Sequence, residues 1–178
     1  WSGGLTIESG KRITTNAIVC FNAIGPGYFA ALGAPLLSGR DFNERDRNDT
    51  NEPAFRSAIV NESFARRYFG ARSPIGARIG IGVRPDTRAD IEIVGVVKTF
   101  SRRGLRETDD QAFFPFLESP FGSAMFYVRT RMDAESAVAS IRATVRRIDS
   151  AVPLSRMTTL DEHIDRRTLL NERLRASL

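Results

Sequence analysis

An α+β fold is predicted by three features: strand-like and helix-like stretches that alternate irregularly, one tightly specified strand–helix–turn block, and one long amphipathic helix. The regular β-α-β alternation of a doubly wound sheet is missing from the order of elements. The block runs from Ser57 to Ile79. Ser57 to Val60 is a short apolar run suited to a buried strand. Asn61 follows at once, and its side chain can accept from the free N–H groups that open a helix. Glu62 then places a negative charge in the first turn, where it suits the helix dipole. At 100° per residue Phe64, Ala65, Tyr68 and Phe69 share one arc, with Arg66 and Arg67 on the other side. Gly70 stops the helix, Pro74 forbids its continuation, and Gly76 allows a tight turn into the next strand.

The remaining elements follow in chain order. Leu5 to Ile7 and Ala17 to Ala23 read as two strands joined by the turn Ser9-Gly10-Lys11-Arg12. Ile24-Gly25-Pro26-Gly27 breaks the pattern, and Tyr28 to Leu32 can form a short helix closed by Gly33. Pro35 to Phe42 is apolar and then turn-like, whereas Asn43 to Pro53 is charged, lacks periodicity and is expected to be a surface loop. Arg78 to Val83 and Ile91 to Val97 read as paired strands. In the second, Ile91, Ile93 and Val97 fall on one face and Val94 and Val96 on the other, which predicts a central strand covered on both sides. Thr99 to Asp110 is a charged connector. Ala112 to Leu117 and Ala124 to Val128 read as two aromatic-rich strands, the first expected to be irregular or at an edge because of Pro115. Asp133 is a suitable N-cap for a helix whose apolar positions Ala134, Ala137, Val138, Ile141, Val145 and Ile148 repeat at helical spacing. Val152 to Met157 suggests a short strand. Thr159-Leu160-Asp161-Glu162 matches a capping box, opening a final, strongly charged helix towards Leu178.

The chain has 178 residues, an apolar fraction of 42% and 12 Phe, which favours a folded domain with a true core over disorder. The net charge is +5, and of 26 basic residues only Lys11 and Lys98 are lysines. The arginines are spread from Arg12 to Arg175 and interleaved with acids, so no basic arm for nucleic acid emerges. No run of about twenty apolar residues spans a membrane, and no secretory signal opens the chain. It begins on Trp1 without an initiator Met and reads as a piece of a longer polypeptide. Cys20 has no partner for an internal disulfide and lies in an apolar run, where a buried inert thiol is expected.

The residue types that carry chemistry do not assemble into a signature. His163, the only histidine, has no HExxH or cysteine partner at ligand spacing, so no metal site is predicted. A Ser-His-Asp triad would have to use it, yet no G-x-S-x-G elbow is present. Asp109 and Asp110, and Asp161, Glu162 and Asp165, are adjacent acids of the kind usually solvated on a surface, not poised for general acid–base work. Gly76, Gly80 and Gly82 lack the Lys-Ser/Thr that completes a phosphate loop. Phe113, Phe114 and Phe116 could stack nucleotide bases, but no basic residues interleave them, and packing is the expected role. The sequence therefore predicts no catalytic residue, no cofactor and no metal. An unrecognised hydrolase is the reading it favours least.

Three blocks taken together resemble a known family. Gly25-Pro26-Gly27-Tyr28-Phe29 through Leu36-Leu37-Ser38-Gly39-Arg40-Asp41-Phe42 is the first. Ile59-Val60-Asn61-Glu62-Ser63-Phe64 through Tyr68-Phe69, with Ser73-Pro74-Ile75-Gly76, is the second. Ile91-Glu92-Ile93-Val94-Gly95-Val96-Val97, followed by Arg103-Gly104-Leu105-Arg106, is the third. With the tail around Thr159 to Leu174, these resemble the MacB-like periplasmic core domain of FtsX/MacB-type ABC transporter permeases, notably the duplicated permeases of Acidobacteria. The resemblance implies a two-lobed domain: a porter-like β-α-β part from residues 1–25 and 124–165, lacking its usual first strand–helix–strand, an inserted mixed α/β (sabre-like) lobe from 26–123, and a juxtamembrane helix end at 166–178. It implies a non-catalytic, periplasmic part of a bacterial inner-membrane permease that couples cytoplasmic ATP hydrolysis to efflux or mechanotransmission. The implied partners are the permease's own transmembrane helices, a cytoplasmic ABC ATPase, and a second permease copy or a periplasmic adaptor. The alternative is a periplasmic binding module for a lipid-like, peptide or small apolar cargo. Arg166, Arg167, Arg173 and Arg175 beside a membrane segment would by themselves favour the cytoplasm, but long domains translocate largely regardless of such charge.

Overall fold

The computed structural model describes residues 1–46, 55–100, 110–116, 125–155, 157–159 and 162. Among these, the elements in chain order are β1 (Ser2–Glu8), β2 (Arg12–Ile24), α1 (Tyr28–Leu32), β3 (Leu36–Gly39), a 3-10 turn (Glu44–Asp46), β4 (Ser57–Asn61), α2 (Glu62–Phe69), β5 (Arg78–Ile81), β6 (Ile91–Val97), β7 (Gln111–Pro115) and α3 (Ala134–Ile148). The chain divides into two compact units, Trp1–Ser101 with Thr108–Tyr127, and Arg102–Glu107 with Val128–Leu178.

In the first unit the strands form one sheet whose ladder closes on itself. β1 pairs with β2 and β5, β2 with β7, β7 with β4, β4 with β6, and β6 with β5. The β2–β7 and β4–β6 pairs are parallel; the other four are antiparallel. Closure of this kind removes edges that would otherwise expose unpaired backbone groups. β6 shares one side between two partners: Arg78 and Ile79 of β5 pair with its start, and β3 pairs with its end. The resemblance implied that residues 1–25 group with 124–165. In the structure β1 and β2 are hydrogen-bonded into the same sheet as β5 and β7.

The apolar pattern explains why the ring closes. Leu5, Ile7, Val19, Phe21, Ala58, Val60, Ile79, Ile91, Ile93, Val96, Ala112 and Phe114 all join one buried cluster, together with Phe64 and Phe69 of α2. Because all six ring strands contribute to it, five of them through residues of one face and β5 through Ile79 alone, this cluster is the interior. Helix α2 lays its aromatic arc against it, as the 3.6-residue period requires, with Ala65 and Tyr68 partly buried there too. A second cluster lies on the opposite face of β4, β6 and β7, where Ile59, Val94, Val97 and Phe113 meet Ile24, Phe42 and Phe29 of α1. Helix α1 ends as its sequence demands: Gly33 takes φ 68°, its N–H donates to Ala30 O, and Ala34 N–H donates to Phe29 O.

β6 is central and covered on both faces, but its alternation slips. Ala58 pairs with Ile93 and the next residue, Ile59, with Gly95, so Val94 is an extra residue. This bulge puts Val96 with Ile91 and Ile93 in the interior and Val97 with Val94 outside, reversing the expected faces of the last two. The bulged Val94 carbonyl accepts from Arg40 N–H at 3.0 Å. Here β3 and β6 approach so closely that only glycine fits. A Cβ on Gly39, whose φ is +73°, would lie 2.2 Å from Val94 O, and one on Gly95 would lie 2.5 Å from Arg40 O.

Several elements differ from the sequence reading. The apolar and turn-like stretch from Pro35 contains a strand, β3, whose four residues are all exposed. β7 lies between β4 and β2, not at an edge; Pro115 is tolerated because it is the last residue of the strand. Met125 to Val128 forms no strand, and Met125, Phe126 and Val128 are exposed. The described residues from Val152 to Met157 form no strand either. In the second unit α3 forms as predicted, with Asp133 accepting from Ser136 N–H at 2.9 Å, yet none of its residues is buried.

Phe64 is fully buried against the barrel interior. Phe64→Ala should therefore cost about 4 kcal/mol by urea denaturation of the domain, the usual loss for an emptied Phe site. Phe126→Ala, at a position 83% exposed, should stay within about 0.5 kcal/mol. Equal effects at the two positions would contradict the assignment of the core.

Candidate functional site

Apart from Thr6 of β1, the buried polar residues among those described cluster at the two ends of β4. At its C-terminal end Asn61 is inaccessible to solvent, and its Oδ1 accepts from Phe64 N–H and from Gln111 N–H, both at 3.0 Å. One carbonyl oxygen thus caps α2 and fixes the first residue of β7. Ser63 N–H donates to Thr99 Oγ1 just beyond β6 at 2.9 Å. Ser63 and Arg67, one helical turn apart on α2, both donate to Asp110: Ser63 Oγ to Oδ1 at 2.8 Å and Arg67 Nε to Oδ2 at 2.7 Å. Asp110 is 4% exposed, so these partners supply what water would have given it.

At the N-terminal end Asp46, 2% exposed, forms a second closed set. Arg40 donates to both its oxygens, Nη1 to Oδ2 at 2.7 Å and Nη2 to Oδ1 at 2.9 Å. Ser57 Oγ donates to Oδ1 at 2.6 Å and Asn43 N–H to Oδ2 at 2.8 Å. The pair is bidentate, the geometry that suits a planar guanidinium to a carboxylate. Burial by itself pushes the Asp46 carboxyl up, but the hydrogen bonds from Arg40, Ser57 and Asn43 and the Arg40 charge together outweigh it and hold the pKa below the ordinary 3.8. The sequence reading had placed Asp46 in a solvated loop. Only Arg40, six residues earlier, hinted at a partner, and no periodicity marks such a contact.

These carboxylates do not have the layout of an acid–base pair. Every oxygen of Asp46 and Asp110 already accepts from a donor of the fold, whereas a general base must reach a substrate proton. Among the described residues the other candidates are not brought together. Glu162 N–H donates to Thr159 Oγ1, one of the two bonds of a capping box, and its carboxylate accepts from Thr158 Oγ1. Phe113 and Phe114 are fully buried on opposite faces of β7, one in each cluster, and Phe116 is half-buried. Gly76 and Gly82 take positive φ at turns, and Gly80 lies in β5 against the Arg88 backbone. Cys20 is half-buried, not fully buried. Asp109, Asp161, His163 and Asp165, with the whole of 166–178, lie outside the described residues. Among the described residues no group of three His, Cys, Asp or Glu could hold a metal, and no helix is long and apolar enough to cross a membrane.

The architecture is that of a mixed α/β domain whose buried polar groups hold elements together. Residues 2–148 match the model of the MacB-like periplasmic core domain, and the chain belongs to that family. It is a periplasmic domain of an ABC-type transporter permease. Among solved structures it is similar to the periplasmic region of MacB from Actinobacillus actinomycetemcomitans, at 20% identity and TM-score 0.55, over 83% of this chain and 63% of that one. It is also similar to the extracellular domain of the noncanonic ABC-type transporter YknZ from Gram-positive bacteria, at 19% identity and TM-score 0.50, over 84% and 73% respectively. The chain thus spans less than two thirds of the MacB region it matches. No curated protein matches it.

Two outcomes follow. Asn61→Ala leaves two buried N–H groups without that acceptor and should lower unfolding stability by roughly 3 kcal/mol; a loss below 1 kcal/mol would show that the junction is replaceable. Asp46→Asn should cost about 2 kcal/mol at pH 7. Because the folded pKa of Asp46 is depressed, its ionised form stabilises the fold fully above the ordinary 3.8 and ceases to do so as pH falls through the folded value. The gap between wild type and Asp46→Asn, read from urea unfolding at successive pH values, should therefore close on acidification. A gap independent of pH would exclude the ionised pair as its source.

Proposed function

We propose that this domain is a mechanical element that couples ATP hydrolysis by a cytoplasmic ATPase to export or mechanotransmission across the envelope. The observation that supports it most is the way buried polarity is used among the described residues: the buried carboxylates of Asp46 and Asp110, and Asn61, fasten strands and helices to one another. Such an element transmits displacement in proportion to its stiffness, and a closed sheet pinned at both ends of β4 is stiff. Residues 166–178 deliver the motion to the domain. A second permease copy or a periplasmic adaptor receives it.

The test uses the full-length permease reconstituted with its ATPase in proteoliposomes, with spin labels at the exposed positions Arg72 and Ser140. The distance distribution between the labels should change when ATP is supplied. Replacing residues 166–178 by a flexible Gly-Ser segment of equal length should abolish the change while ATP turnover persists. A wild-type distribution indifferent to nucleotide would overturn the proposal. A response to added lipid or apolar peptide without nucleotide would favour a cargo-binding module in its place.

A further inference from the structure

We draw no further inference here: the strongest candidate, the apolar stripe of α3 at Ala137, Val138, Ile141 and Val145 with the exposed Met132, Ile148, Val152 and Leu154 in the same unit, carries nothing because nothing in the structure shows what covers it.

Discussion

A single carbonyl oxygen, Asn61 Oδ1, ties β4, α2 and β7 of the first unit together. It accepts two backbone N–H groups from residues fifty positions apart in one case and three in the other. Around it converge the end of β4, the first turn of α2, the start of β7 and, through Ser63 and Thr99, the segment leaving β6. Each of these termini would leave orphan backbone groups if separated from the others. Because Asn61 has no access to solvent, water cannot take over the acceptor's role. The aromatic face of α2 can enter the barrel only when this end of the helix is fixed.

The same economy of design extends to the charged groups. Asp46 and Asp110 are carboxylates that an enzyme might use, yet each is surrounded by an arginine and a serine of the same unit. The desolvation cost of burying a carboxylate is offset only when several donors meet it, and a partly satisfied set would be worse than an apolar one. Arg40 remains 43% exposed and Arg67 58% exposed, so both keep contact with water while their guanidinium groups seal the buried acids. In a domain that passes on motion, such contacts resist shear because their geometry is fixed in direction, which apolar packing alone does not provide. The tight Gly39–Gly95 approach adds a second rigid seam between β3 and β6.

Local rules made much of this legible. The Asn61 cap, the Gly70 and Gly33 stops, the Asp133 cap and the amphipathic arc of α2 each depend on residues within one helical turn, and each lies where the sequence placed it. Long-range pairing was not legible. Nothing in the spacing of β1 and β2 announces that they pair with β5 and β7, so the closed ring emerges only in three dimensions. The Val94 bulge reverses two side chains without leaving a trace in the apolar pattern. Asp46 was missed because its partners come from three separate positions, Arg40, Asn43 and Ser57. Met125 to Val128 misled in the other direction: β-prone residues need a neighbouring strand, and the described structure gives them none. Blocks of residues identified the family, because glycines and caps at tight contacts tolerate few alternatives.

The central claim is that the Asn61 junction is the last part of the domain to open. Native-state hydrogen exchange measures this directly. The Phe64 and Gln111 amides should exchange only through global unfolding, with the same free energy and the same denaturant dependence as the whole first unit, while the amides of α3 exchange through smaller openings. Exchange of Phe64 or Gln111 through a local opening well below the global value would contradict the account.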